Sequence, residues 1–259
     1  MIQFVLTAFL AASGLGVFDN GLGRGELTID QQADLARRTG YDGVIFNGTS
    51  DIPAKRRALE SRGLKFYGIY TGMNLSDKLP SFDPGLPDAI HQLEGTGAQI
   101  AFTVNGKHTD GDAMAARVIS QVADLAAKSG LRLALYPHFG MHMARIEDAL
   151  RMREMAGGKN IGVIFNLCHW LRSGDEPNLD LRLSQVAPYL SMVLINGADH
   201  EGDWNRLIQP LGQGEYDVKA FLKKVKATGY QGPTILQCYG IKGDREENLS
   251  RSMKAWKAM

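Results

Sequence analysis

Two histidines and a set of side-chain amides are the residues of this sequence best suited to chemistry. His138 and His169 each follow a short apolar segment. Imidazole titrates at a pH of about 6.5, so a histidine can take or give a proton under neutral conditions. The amides stand at the ends of similar segments, and each offers donors and acceptors on one rigid fork that suits a polyhydroxylated ligand. The pattern predicts proton transfer on a sugar-like molecule bound by Asn47, Asn105, Asn166, Asn196 and Gln237.

Three further residues follow apolar segments in the same way. Tyr136 and Tyr239 are predicted near the histidines and amides, and Asp199 ends the short motif NGAD. The other carboxylates of the loops, Asp19 among them, are expected to be solvated or to cap turns. Cys168 and Cys238 are interpreted as small buried apolar residues.

These residues need a scaffold, and the sequence predicts one in which short strands alternate with longer helices. The strand segments are apolar throughout, which is typical of parallel strands buried on both faces. An unbroken series of such units predicts one (β/α)8 barrel domain over residues 1–259, with an open doubly wound sheet as the alternative. In such barrels the loops after the strands carry the chemistry. The predicted strands are Gly43–Asn47, Lys65–Tyr70, Gln99–Val104, Leu131–Tyr136, Ile161–Asn166, Ser191–Asn196 and Thr234–Cys238.

The first strand has two candidates, Phe4–Leu10 and Leu15–Phe18. Residues 1–14 are interpreted as an N-terminal strand or extension, with a signal-peptide remnant as the alternative. The apolar segment Ile2–Ala12 is shorter than the roughly 20 residues that cross a bilayer, and no lysine or arginine precedes it. The sequence therefore favours a cytoplasmic protein without membrane contact, and an exported form follows from the alternative.

The amino-acid composition limits the classes of molecule that this protein is expected to bind. The 259 residues include 29 Lys+Arg and 28 Asp+Glu, a formal net charge of +1. A nucleic-acid partner demands a clustered basic surface, so this balance argues against one. Two cysteines exclude a disulfide framework. We expect a small-molecule carbohydrate as the partner, and the sequence is compatible with a homo-oligomer.

Several longer motifs place the chain near a known family. They are GYDGVIFN (Gly40–Asn47), GLRLALYPH (Gly130–His138), NIGVIFNLCHW (Asn160–Trp170), PLGQGEYD (Pro210–Asp217) and GYQGPTILQCY (Gly229–Tyr239). With these motifs the chain, from Gly16 onward, resembles the xylose-isomerase-like TIM-barrel family of sugar phosphate isomerases and epimerases. The resemblance implies a TIM barrel and isomerase or epimerase activity on a carbohydrate.

The same resemblance implies a divalent metal held by Glu, Asp, His and Glu on strands five to eight. The matching positions here are Tyr136, Asn166, Asn196 and Gln237. None of these side chains carries a negative charge, and hard divalent cations prefer charged oxygens. We therefore expect no cofactor, at most a weakly bound divalent metal, and a Tyr136 hydroxyl that donates to a developing enolate oxygen.

The favoured interpretation is a sugar isomerase, epimerase or lyase that acts next to a carbonyl of a keto-sugar. His138 and His169 would open into one cavity and exchange protons with a substrate carbon held between them. Two alternatives remain: a carbohydrate-binding barrel without catalysis, and a metal-dependent enzyme with displaced ligands such as His138, His169 and Asp199.

Overall fold

The computed structural model describes residues 14–76 and 81–259, and its centre is a closed barrel of eight parallel strands. Strand β1 pairs with β2 on one side and with β8 on the other, which closes the sheet. The predicted (β/α)8 barrel is confirmed, with Leu15–Phe18 as its first strand, whereas Phe4–Leu10 lies outside the described residues. The strands are β1 Leu15–Phe18, β2 Gly43–Asn47, β3 Lys65–Leu75, β4 Gln99–Gly106, β5 Arg132–Leu135, β6 Ile161–Asn166, β7 Leu190–Ile195 and β8 Thr234–Leu236.

Helices fill the spaces between consecutive strands. Residues with favourable capping side chains stand at helix N-termini. Thr28 and Gln31 form a reciprocal capping pair, and Asp217 accepts a hydrogen bond of 2.9 Å from the Ala220 amide. Two short helices, α6 (Leu167–Arg172) after β6 and α8 (Trp204–Leu207) after β7, were not predicted. Among the described residues, no helix is both long enough and apolar enough to cross a bilayer. The helices are α1 Ile29–Arg38, α2 Ile52–Glu60, α3 Leu86–Gln92, α4 Gly111–Lys128, α5 Ile146–Met155, α6 Leu167–Arg172, α7 Leu179–Val186, α8 Trp204–Leu207, α9 Val218–Ala227 and α10 Arg245–Lys257.

The apolar core has two layers, one on each face of the sheet. The larger layer lies between the strands and the surrounding helices, and the smaller one fills the barrel interior. Every residue of β6 and β7 is buried, as expected for parallel strands covered on both faces. The interior layer contains Phe18, Ile45, Ala101, Ala134, Tyr136, Ile164, Met192, Leu194 and Ile235.

The ring of Tyr67 fills the barrel at the end where the strands begin. It occupies space left by Gly16 and Gly43, where an added Cβ would lie 2.7 Å from the ring at either position. The Tyr67 hydroxyl donates to Asp42 Oδ2 at 2.7 Å, which fixes the ring in place. This end of the barrel is therefore packed, and the open space lies at the opposite end.

Candidate active site

A cavity of about 430 Å³ opens at the end of the barrel where the strands finish. Small-molecule sites typically measure roughly 300–1,000 Å³. We call Tyr136, His169 and Gln237 the floor, because all three are buried, and Phe139, Trp204 and Tyr239 the rim, because all three are exposed. The remaining lining residues are Phe18, Asn20, Arg24, Asn47, Tyr70, His138 and Ile208.

Tyr136 is the centre of the floor. Its phenol oxygen accepts hydrogen bonds from Asn166 Nδ2 and from Gln237 Nε2, the latter at 3.4 Å. Burial raises the pKa of Tyr136 well above its ordinary value, against the opposing effect of these two donors, so the phenol is protonated at neutral pH. Because two amide hydrogens occupy the lone pairs of the oxygen, its own hydrogen is left to be donated.

The carbonyl end of the Gln237 side-chain amide is held by neighbouring N–H groups. Its Oε1 accepts from Asn20 Nδ2 at 2.8 Å and from the backbone amide of Cys238 at 3.0 Å. These contacts fix which end of the amide faces Tyr136. The floor is thus oriented by neutral groups alone.

The rings of His138 and His169 lie against each other beside Tyr136. Their centroids are 3.8 Å apart with a tilt of 39°. The structure brings both histidines to one cavity, but the rings touch, so no substrate carbon fits between them as the sequence interpretation supposed. A substrate has to lie to one side of the pair.

The two imidazoles differ in their surroundings. His138 Nδ1 lies 3.0 Å from the Phe139 carbonyl, and because a carbonyl only accepts, this nitrogen carries the hydrogen and leaves Nε2 as a base. His169 is buried, and its Nδ1 has no hydrogen-bond partner among the described residues. Burial lowers the pKa of both, and the proximity of His138 lowers that of His169 further. Both are therefore neutral at physiological pH.

Charged groups lie on the side of the cavity formed by β1 and β2. The buried Asp19 carboxylate accepts from the backbone amide of Asn47 at 2.9 Å and from its side-chain amide. Burial raises the pKa of Asp19, opposed by these hydrogen bonds and by nearby positive charge. Arg24 Nε lies 3.7 Å from Asp19 Oδ1, and half of the Arg24 side chain is exposed. Asp19 therefore organises this wall, whereas the sequence predicted a solvated or turn-capping carboxylate.

Four predicted ligand-binding residues do not line the cavity. Asn166 is buried and donates to the Tyr136 hydroxyl. Asn105 is exposed, because β4 continues to Gly106 and carries it past the barrel. Asn196 is buried, and its Nδ2 donates to the backbone carbonyls of Gly197 and Leu207. Asp199 forms a 2.7 Å ion pair with Arg206 in the loop after β7.

Other lining residues were missed. Four of them, Arg24, Phe139, Trp204 and Ile208, lie in the segments that follow strands, and a fifth, Phe18, ends β1; all but Arg24 are apolar or aromatic. The prediction followed polar side chains at strand ends and overlooked the apolar ones. The available signal was the presence of aromatic residues, Phe139 and Trp204, in the segments after predicted strands.

The residues at the implied metal position do not fit a divalent cation. Asn166 and Gln237 direct N–H groups at Tyr136, and Asn196 is engaged with the backbone. A hard cation needs acceptor oxygens at this point. Within residues 14–76 and 81–259, no three His, Cys, Asp or Glu side chains come together as a ligand set, so the displaced set with Asp199 is not assembled either.

A family model described as xylose isomerase-like TIM barrel matches residues 33–259. The chain belongs to this family. The predicted resemblance is thereby confirmed over most of the chain.

Solved structures of similar proteins agree on the fold. The 3-keto-D-glucoside 4-epimerase from E. coli superposes with a TM-score of 0.79 at 19% identity, and the alignment covers 95% of this chain and 100% of the epimerase chain. The probable 3-DHS dehydratase from Bacillus anthracis has a TM-score of 0.75 at 14% identity and covers 94% and 98%. A D-allulose 3-epimerase from Methylomonas sp. has a TM-score of 0.74 at 14% identity and covers 95% and 98%.

A curated relative gives a more limited sequence match. A 3-dehydroshikimate dehydratase from Pseudomonas aeruginosa is 29% identical over 138 residues. The match covers 49% of this chain and only 21% of the relative, so the chain spans about a fifth of that protein's length.

Proposed function

We propose that the protein is an isomerase, epimerase or lyase that moves a proton at a carbon next to a carbonyl of a sugar-like substrate, without a metal. The observation that carries the proposal is the Tyr136 hydroxyl, oriented by two amide donors at the floor beside two neutral histidines. The names of similar proteins, which include epimerases and dehydratases, support the reaction class.

Tyr136 supplies the electrophilic contact in this proposal. Its O–H donates a hydrogen bond to the substrate carbonyl oxygen. This hydrogen bond becomes stronger as negative charge develops on that oxygen. The raised pKa keeps the proton on Tyr136, so the contact stabilises charge without proton loss. This is the contribution that a metal would otherwise make to the enolate.

The histidine pair supplies the base. His138 Nε2 has a free lone pair because Nδ1 is committed to the Phe139 carbonyl. The proton leaves the substrate carbon for this nitrogen, the C–H electron pair forms the carbon–carbon double bond of the enolate, and the carbonyl π pair moves onto the oxygen. His169 is in ring contact with His138 and shares the same side of the substrate. A proton taken by this pair is delivered on the same face, to the neighbouring carbon in isomerisation through an enediol or to the leaving group in a syn elimination. Epimerisation would require a further proton donor on the opposite face.

Proton exchange in D2O tests the proposal whichever product is formed. NMR would follow deuterium entry next to the carbonyl across a panel of keto-sugars. We expect exchange in at least one of them, unchanged after dialysis against EDTA. Tyr136→Phe should lower the rate on the order of 10²- to 10³-fold, and His169→Gln about 10²-fold or more.

Tyr41→Phe is the matched control, since it removes an equally buried hydroxyl that donates to the Leu249 carbonyl outside the cavity. It should leave the exchange rate unchanged. Absence of exchange with every keto-sugar would instead favour a carbohydrate-binding barrel. Exchange that EDTA abolishes and Mn²⁺ restores would refute the metal-free mechanism.

A further inference from the structure

The exposed aromatic residues of this protein are concentrated at one place. Phe139, Trp204 and Tyr239 are 37%, 36% and 63% exposed, and among the described residues no other phenylalanine, tryptophan or tyrosine has so much exposed surface. All three line the candidate cavity. Large apolar side chains grouped on a surface usually mark a binding site.

Two of these rings are held in place before any ligand binds. Phe139 and Trp204 meet edge to face with centroids 6.2 Å apart. The Arg172 guanidinium lies 5.3 Å from the Phe139 centroid and 5.8 Å from that of Trp204, and its Nη1 donates to the Gly202 carbonyl at 2.7 Å. Arg172 therefore ties the loops after β5 and β7 together. A prearranged surface loses little conformational entropy on binding.

The rim lies outside the floor where the proposed reaction takes place. The floor residues Tyr136 and His169 are buried, and Trp204 reaches the outer side of His169 with ring centroids 5.2 Å apart. A single sugar ring whose carbonyl contacts Tyr136 occupies the floor. The exposed aromatic surface then remains for a second ring farther out.

Resting on the proposed function, we propose that the substrate is a glycoside, with its reacting sugar on the floor and a second sugar ring stacked on the rim. The apolar face of a pyranose suits an aromatic surface, and its hydroxyl edges need polar partners. Asn47 and the half-exposed guanidinium of Arg24 provide such partners on the β1 and β2 side of the same cavity. A flat aromatic aglycone would make no use of them.

Calorimetric titration of the full chain tests this with matched pairs of unreactive probes: D-glucose, maltose and cellobiose. We expect at least one disaccharide to bind about tenfold more tightly than glucose, the size expected of an aromatic stacking contact. Tyr239→Ala should remove most of that gain and leave glucose binding within about twofold, and Trp204→Ala should also remove most of the gain. Tyr239 is the safer variant for folding, because its side chain is the most exposed of the three.

Tyr189→Ala is the matched control. Tyr189 also has an arginine stacked on its ring, because the Arg153 guanidinium carbon lies 3.6 Å from the ring centroid. Tyr189 precedes β7, however, and so lies at the other end of the barrel. It should keep the full disaccharide preference. Glucose binding equal to that of both disaccharides would overturn the glycoside proposal and leave the proposed function standing. A preference that survives both rim variants would also overturn it, and binding of no sugar at all would count against both proposals.

Discussion

Two strands on opposite sides of the barrel share the sequence GVIFN but end in different environments. In β2 the final residue, Asn47, donates its side-chain amide to the buried carboxylate of Asp19. In β6 the final residue, Asn166, donates to the neutral phenol of Tyr136 and accepts from Cys168 Sγ at 3.1 Å. The same residue at the same strand position therefore holds an anion on one wall and a neutral proton donor on the other.

The comparison shows that the partner, and not the strand, decides what the amide does. Asp19 with Arg24 makes the β1 and β2 wall charged, whereas the floor around Tyr136 is made of neutral groups. A charge beside Tyr136 would compete for its hydrogen or change its pKa. Neutral surroundings keep that hydrogen available to a substrate, while the charged wall is left for binding.

The largest effect is expected from Asn166→Asp. The carboxylate removes the N–H that Tyr136 accepts and adds an acceptor that takes the Tyr136 hydrogen away from the cavity. The exchange rate in D2O should fall on the order of 10³-fold, the upper range for a lost oxyanion donor. Asn105→Asp, the same change at an exposed amide, is the control and should retain the wild-type rate. Full activity in Asn166→Asp would show that Tyr136 does not need this donor.

Asn47→Asp should affect stability more than chemistry. The new carboxylate faces Asp19, and two like charges at a buried site cost roughly 2–3 kcal/mol of unfolding free energy. Urea denaturation at neutral pH measures the loss, which should shrink in acid as the carboxyls become protonated. Asp19→Asn in the same chain removes the repulsion and should restore most of the stability. A double variant as unstable as Asn47→Asp alone would contradict this account.

The histidine pair should make stability depend on pH. Burial holds the folded pKa values of His138 and His169 below the unfolded value of about 6.5. Below that pH the unfolded chain binds more protons, so the unfolding free energy falls as pH drops, by up to about 1.4 kcal/mol per pH unit for each histidine. His169→Gln should reduce this slope between about pH 6.5 and 5. An unchanged slope would mean that His169 is not buried in its neutral form.

The smallest effect is expected at Asn105. Its side chain is exposed beyond the barrel end, so Asn105→Ala should change the unfolding free energy by no more than about 0.5 kcal/mol. Disaccharide binding and proton exchange should also match the wild type. A loss of sugar affinity would place Asn105 in the site after all.

Much of the fold could be predicted because its signals are local. Apolar strands buried on both faces, among them the two GVIFN strands, appear where the sequence predicted them. The position of the first strand could be decided only from the structure, because two apolar segments of the sequence were equally good candidates. The short helix α6 was also missed, since it has too few residues to show a helical period.

The site was harder to predict because side-chain direction depends on distant residues. Asn166 ends β6 and Asn196 directly follows β7, but the carbonyl of Leu207, eleven residues later, accepts a hydrogen bond from the Asn196 amide. The contact between His138 and His169 depends on where α6 begins, and no spacing in the sequence reveals it. Positions at strand ends were predictable, but the partners of each side chain were not.

The ring of Tyr67 between Gly16 and Gly43 has a kinetic consequence. Because it packs one end of the barrel, the cavity exchanges its contents through the rim alone. Product has to leave by the path that substrate uses to enter, so the two cannot pass each other. We therefore expect product to inhibit competitively with substrate, because both occupy the same floor and pass Trp204 and Tyr239 on the same path.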